Sequence, residues 1–500
     1  MSKTYLIGID IGTQGTKTAI YDGLGSLRAS ASEASNLISP KPGEVEQDPD
    51  EIFMSVVRTI KESLEKSNVS PKDIAGIAID AQMAGIMAID KDWNAVTCYD
   101  SWLDTRCEPY IGMMKEQAEE EIIGKTGGQV TYVHGPKVLW WKYEHPEVYK
   151  KIAKFIMPST YVAGRLCGLL GEQAYIDKTH IHFSSFADTI NMKWDKGLLR
   201  QFKVEEDKLP QIIKPHEVIG QITKEWADAT GLLAGTPVVA GCGDSAASSL
   251  GAGIVEKGLV YDVAGTASIF SCSTDIFQAD VRNKTLLYAA SVIDGLYIPL
   301  AYIGGGGMCI SWFSKFHGIS LDELGELAKD IPAGSEGLLF SPHFAGSVCP
   351  NRQSLPGAFV GLKWNHQVGH MYRSILESIA YEYHNYFSII KELAPQEYTR
   401  IYGTGGGAKS PMFNQIKADV LGLPYYQLKT KETATFGSAL LAGLGVGLYD
   451  DLSKTNFFDD CLGERTNPNF ELAELYRGKA KQYHSMLEHL DGIATTELAT

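Results

Sequence analysis

Tyr5-Leu-Ile-Gly-Ile-Asp10-Ile-Gly-Thr-Gln-Gly15-Thr-Lys-Thr-Ala-Ile-Tyr21 decides the architecture. Two apolar runs, Tyr5 to Asp10 and Thr16 to Tyr21, flank a tight turn that carries Gly12 and Gly15. Glycine in such a turn lets a chain fold back sharply or approach a ligand closely. The pattern predicts a strand, a turn and a strand paired back on the first, with a third strand over Leu27 to Ala34. Beyond it, Ile52, Phe53, Val56, Val57, Ile60 and Leu64 fall on one face of a helix starting at Pro49. Ile74 to Asp80 reads as the next strand. Strands, then a helix, then a strand are the opening of an α/β domain.

Further along, helical stretches over Gly135–Lys142 and Ser159–Leu166 are broken by Gly and Pro, as in an inserted lobe. A buried strand, Val238 to Gly241, leads into Gly243-Asp244-Ser245, and two more strands flank a turn at Gly265-Thr266. Helices dominate the last third. Asn365 is expected to cap one carrying Met371, Ile375, Ile379 and Glu382; Ser410-Pro411 starts another, with Met412, Phe413, Ile416 and Val420 on its apolar face. A last amphipathic helix is expected over Asn469–Gly492, with a tail from Ile493 to Thr500 that frays.

At 500 residues, 44% hydrophobic and 21% charged, the chain has material for large cores and, by length alone, roughly three domains. Its formal charge of -15 disfavours a nucleic-acid partner. The N-terminal apolar run is interrupted by Asp10 and reads as a strand, not a signal peptide, and no stretch approaches a membrane span. Eight scattered cysteines read as reduced thiols, which with the rest places the protein in the cytoplasm. His180 and His182 fall on one face of a strand, but no third ligand lies near in sequence, so packing is the reading there.

Exposed backbone amides of a Gly turn converge on phosphate oxygens, and Thr hydroxyls add donors. Thr13, Gln14, Gly15, Thr16 and Lys17 supply both, with Asp10 at the strand end to meet a phosphate through Mg²⁺; a structural hairpin is the competing reading. Gly403-Thr-Gly-Gly-Gly-Ala-Lys-Ser410 is a second candidate, though it matches neither a Walker A loop nor a dinucleotide fingerprint. Gly304 to Gly307 reads as backbone access. Asp244, following an apolar strand, is placed to take a proton from an attacking hydroxyl, or equally to cap a turn. Asp10-Ile-Gly-Thr-Gln-Gly-Thr-Lys17 is echoed by Asp262-Val-Ala-Gly-Thr-Ala-Ser268, an echo that gains meaning only from the chemistry at each turn.

Taken together, these segments resemble the FGGY family of carbohydrate kinases, and xylulokinase-like members most in pattern. Besides the opening turn, Glu46-Gln-Asp-Pro49, Gly135-Pro-Lys-Val-Leu-Trp140, Gly357-Ala-Phe-Val-Gly-Leu362 followed by His370 to Glu377, and Gly405 to Ser410 match its motifs in order. The resemblance implies an α/β fold of two actin-like (ribonuclease H-like) domains, 1–245 and 246–500, with a nucleotide and sugar cleft between them. It implies ATP and Mg²⁺, with Asp244 as general base and Asp10 and Asp244 toward the metal. Thr13, Gln14, Thr16, Lys17, Gly265, Thr266, Gly406, Gly407 and Ala408 would hold the nucleotide. Gln82, Met83, Trp102, Asp104, Arg106 and Asp244 would hold a sugar or polyol. Ala84 stands where those members carry histidine, and Ser245 where they carry asparagine, so a pentulose such as D-xylulose competes with ribulose, glycerol, gluconate or another polyol as acceptor. An actin-like ATPase without a sugar acceptor is the alternative of another class. A homodimer is the family-level expectation.

Overall fold

The computed structural model describes residues 4–429, 432–455, 457–458 and 461–497, with side-chain surroundings as far as Gly492. The chain forms two compact units. Met1–Val255, Tyr288–Tyr297 and Glu432–Phe458 make the first; Glu256–Leu287, Ile298–Lys431 and Asp459–Thr500 make the second.

In the first unit the opening reads as expected: β1 (Tyr5–Ile11), β2 (Gly15–Asp22), β3 (Leu27–Ala34), α1 (Pro49–Ser67) and β4 (Ile74–Ala81). Asp48 starts α1 by accepting from the Asp50 and Glu51 amides, with Pro49 in the first turn where a missing amide hydrogen costs nothing. The helix buries Ile52, Phe53, Val56, Val57 and Ile60. After it come α2 (His134–Glu144), α3 (Pro158–Cys167), β5 (Val218–Gln221), β6 (Pro237–Gly243) and α4 (Asp244–Gly251). The sheet runs β3-β2-β1-β4-β6-β5. Its two outer pairs on one side and the β6–β5 pair on the other are antiparallel, while β1, β4 and β6 are parallel.

The second unit repeats that plan. Its strands are β7 (Leu259–Ala264), β8 (Ser268–Cys272) and β9 (Tyr297–Ile303). Then follow α5 (Gly306–His317), α6 (Val368–Leu393), β10 (Arg400–Thr404), α7 (Pro411–Leu421), β11 (Tyr425–Leu428) and β12 (Leu462–Thr466). Within its seven-stranded sheet, the six strands in the order β9-β8-β7-β10-β11-β12 have the same alternation: antiparallel, antiparallel, parallel, parallel, antiparallel. The echo between Asp10 and Asp262 therefore marks equivalent strands, β1 and β7.

Three expectations shift. α6 begins after Gln367, because Asn365 gives its side chain to Glu336 instead, at 2.7 Å. The tail expected to fray continues a helix that spans Ala473–Glu497, while residues 498–500 lie outside the described residues. Finally, a single cut after residue 245 does not follow the packing, since α8 (Thr433–Gly445) belongs to the first unit. Glycines explain its place. A Cβ on Gly8 would stand 1.8 Å from the Thr435 carbonyl oxygen, one on Gly251 1.9 Å from that of Thr433, and one on Gly437 1.9 Å from that of Ala247. Helix α8 thus lies backbone to backbone against both β1 and α4, an approach only glycine permits.

Gly437→Ala is expected to cost roughly 3 kcal/mol, since the methyl must push two helices apart. Gly478→Ala, in the closing helix with nothing within 4 Å of its added methyl, should be neutral or slightly stabilising. Urea unfolding midpoints compare the two; equal midpoints would contradict the close approach.

Candidate active site

The parallel register of the first sheet brings carboxylates to one end. Asp10 of β1 stands beside Asp80 of β4, and Asp80 beside Cys242 of β6, two residues before Asp244 opens α4. Asp80 is fully buried; Ser438 of α8 donates to its Oδ2 at 2.6 Å, and Oδ1 meets no donor. Burial first, then the charge of Asp10, pushes the Asp80 carboxyl well above the ordinary range. Asp10, raised to about 6 by burial and by Asp244, is lowered in turn by a hydrogen bond from Asp80. The two neighbouring carboxyls thus disfavour ionising together, and burial biases Asp80 toward its protonated form. Asp244 is half-buried and raised by burial, against which the Ser245 amide, donating to Oδ1 at 2.6 Å, favours the charged form.

Around the first turn, Lys17 faces Asp10 across the β1–β2 pair and binds Glu432 at 2.6 Å. Asp10, Gln14, Lys17, Ser32 and Glu33 line an open recess of about 420 Å³. Thr16 lines it without its hydroxyl, which lies 2.6 Å from that of Ser55 on α1, because in β2 its side chain points into the core. Thr13 receives the Trp102 indole N–H at 2.8 Å and donates to Gln82 Oε1 at 3.3 Å, while Gln82 Nε2 donates to Gln47. Both ends of the buried Gln82 amide are engaged, so it ties two loops together.

Asp104 and Arg106 are likewise committed. Asp104 is fully buried and accepts from the Val45 and Arg106 amides at 2.7 and 3.1 Å, and from Arg106 Nε at 2.8 Å. Arg106 continues to Glu46 Oε1 at 2.7 Å and lies 5.0 Å from the Trp140 ring centre. Buried Lys137 of α2 holds the same loop by donating to the Ser101 and Asp104 carbonyls at 2.6 and 3.2 Å. What remains open is the Trp102 ring, 46% exposed, and Asp244, with Met83 packed under Gly243. His180 and His182 lie at a 3-10 turn, not on a strand.

In the second unit, glycines crowd the end of β7. A Cβ on Gly405 would meet the Ala264 carbonyl oxygen at 2.6 Å, and one on Gly307 the Gly265 carbonyl oxygen at 1.9 Å. Met308 N donates to the Thr266 carbonyl at 3.1 Å, seating the start of α5 on this turn. Thr266 and Gly406 are exposed and Gly407 is half-exposed, whereas the Ala408 methyl belongs to the core. Beneath, Asp262 is buried against Lys417, with Tyr425 and Tyr383 each donating to it at 2.8 Å.

Among the described residues no three of His, Cys, Asp or Glu converge to hold a metal alone. Two carboxylates with raised proton affinity suit Mg²⁺, which takes one or two protein carboxylates and completes its shell with water and phosphate. Asp80 was not singled out in the sequence, though Ile77-Ala-Ile-Asp80 repeats the strand ending Ile7-Gly-Ile-Asp10.

The model of the FGGY family of carbohydrate kinases, N-terminal domain, matches residues 5–251, and that of its C-terminal domain matches 270–446. The xylulose kinase of Bacillus subtilis (strain 168) is 29% identical over 461 residues, covering 90% of each chain. Among solved structures, a ligand-bound xylulose kinase from Lactobacillus acidophilus superimposes with a TM-score of 0.90 at 26% identity, covering 97% of this chain and 98% of that one. A gluconate kinase from the same organism also gives 0.90 at 26%, covering 98% and 99%.

Because burial biases Asp80 toward its protonated form, Asp80→Asn should change stability at pH 7 by less than about 1 kcal/mol. Asp80→Ala, which orphans the Ser438 hydroxyl, should cost about 1–3 kcal/mol. Chemical denaturation of the three proteins checks this; an Asn variant as unstable as the Ala variant would contradict a protonated Asp80.

Proposed function

The chain belongs to the FGGY family of carbohydrate kinases and is an ATP-dependent sugar kinase, and on that premise we propose that its acceptor is an uncharged ketose, a pentulose such as D-xylulose, with Asp244 as general base. The observation that carries the proposal is the half-buried Asp244 carboxylate at a strand end, with Oδ1 engaged by Ser245 and Oδ2 left for an incoming hydroxyl.

In this reading Asp244 accepts the proton of the acceptor hydroxyl as its oxygen bonds to the γ-phosphorus, and the bond to the β–γ bridging oxygen breaks to release ADP. Asp10 and Asp244 would hold Mg²⁺, which when bound offsets the charge of the donor phosphates. Lys17, beside Asp10, adds a positive charge at the first turn, and Thr13, Gln14 and Thr16 would act there through their backbone. Gly265, Thr266, Gly406 and Gly407 would contact the nucleotide from the second unit, with Ala408 supporting them from the core. Trp102 would offer its ring to the apolar face of a sugar, with Met83 forming the pocket floor.

The preference for an uncharged acceptor rests on where the cations near these loops are spent. Arg106 is bound to Asp104 and Glu46, Lys137 to two backbone carbonyls, and Lys17 to Glu432. A sugar acid would have to break one of these pairs to neutralise its carboxylate. Gluconate is the second reading, favoured by the equal likeness to a gluconate kinase structure.

Measured as ADP release with product detection over pentuloses, hexuloses, polyols and sugar acids, turnover should be highest on a pentulose, with one sugar phosphate formed per ADP. Preference for gluconate would overturn the acceptor assignment, and ATP hydrolysis indifferent to every sugar would overturn acceptor transfer itself. Asp244→Asn should lower transfer about 10²-fold or more while nucleotide binding persists; wild-type turnover would remove Asp244 as the base.

A further inference from the structure

Directly behind Asp244 stands a turn with no part in the steps above. Asp177 ends the short strand Tyr175–Asp177, and its carboxylate serves both residues that follow. Oδ1 accepts from the Thr179 amide at 2.9 Å and from the Thr179 hydroxyl, and Oδ2 lies 2.6 Å from His180 Nδ1. The Thr179 hydroxyl oxygen in turn accepts from the Gly243 amide at 2.9 Å, the peptide immediately before the base. Asp177, Thr179 and His180 are exposed by 3%, 1% and 0%, so water does not compete for these bonds. The other ring nitrogen of His180, Nε2, is buried and meets no partner. An orphaned polar atom inside a protein is costly, and a ring held at that cost needs a reason.

We propose that the Asp177-Thr179-His180 turn positions the catalytic base: Asp177 fixes Thr179 and His180, and Thr179 holds the Gly243 peptide from which Asp244 follows. The inference rests on Asp244 being the base. Its physical content is orientation. A carboxylate on the first residue of a helix swings about its side-chain bonds unless something confines it, and a small misplacement at the reacting centre costs on the order of 10²-fold. His180 is thus a positioning residue, acting through Asp244 without touching the reacting atoms. His182 supplies the contrast: it is 2% exposed with an unpartnered Nδ1, and it meets the backbone of Thr179 rather than the Thr179 hydroxyl that holds Gly243.

The test measures kcat, KM for ATP and KM for the best acceptor in His180→Phe, Thr179→Val, Thr179→Ser and His182→Phe, each also built on Asp244→Asn. His180→Phe and Thr179→Val should lower kcat about tenfold or more with KM for ATP unchanged. Thr179→Ser, which keeps the hydroxyl, should restore it, and His182→Phe should stay within twofold of the parent. On the Asp244→Asn background the His180 and Thr179 changes should add no further loss, since they act only through the carboxylate. Wild-type kcat in both variants, or losses as large without Asp244 as with it, would overturn the proposal. A wild-type enzyme that needs Asp244 but ignores His180 and Thr179 would leave the kinase reading standing and remove this inference alone.

Discussion

Parallel pairing of β1 with β4 forces Asp10 and Asp80 side by side, and much of the first unit answers that constraint. Two neighbouring carboxylates, half-buried and buried, disfavour ionising together. Burial biases Asp80 toward its protonated form, which relieves the conflict. Ser438 satisfies the other oxygen of Asp80, and it arrives on α8, a helix from far along the chain seated by Gly8, Gly251 and Gly437. The same helix follows Glu432, which holds Lys17 beside Asp10. Charge at the site and the placement of a distant helix are one problem with one solution.

The second unit repeats the same order of six strands within a seven-stranded sheet but treats the equivalent carboxylate in the opposite way. Asp262 is buried, paired with Lys417 and hydrogen-bonded by Tyr383 and Tyr425, so it is neutralised and closed to any ligand. Breaking such a pair by removing one partner typically costs about 3–5 kcal/mol. Here the aspartate anchors the strand while the turn beyond it, Gly265-Thr266, stays accessible above. In the first unit the equivalent Asp10 lines an open recess instead. One frame thus presents accessible carboxylates in one copy and an exposed backbone turn in the other, a division that suits the proposed acceptor and nucleotide halves.

Most of the fold was legible from the sequence because strand alternation and helix faces are local properties. The β1–β2 hairpin, the apolar face of α1, the Ser410-Pro411 helix start and the strand leading into Asp244 all followed from residues within a few positions of one another. The site was legible in outline only. Trp102, Asp104 and Arg106 were grouped as sugar contacts, yet Asp104 and Arg106 turned out to bind each other, Glu46 and the Val45 amide. Whether a polar side chain meets a ligand or another part of the protein depends on partners distant in sequence, which periodicity does not encode.

By itself the sequence determined an α/β chain with paired Gly/Thr turns and an aspartate at a strand end, since these are set by backbone preferences and local apolar pattern. Only the tertiary structure decided that Asp80 is buried beside Asp10, that Thr16 and Gln82 turn their polar atoms inward, and that residues 432–458 return to the first unit. Each of those depends on register across a sheet or on the approach of another element, and both are fixed by packing between segments well separated in the chain. Asp244 lies on both sides of this division: its strand end was readable, and the turn that holds it in place was not.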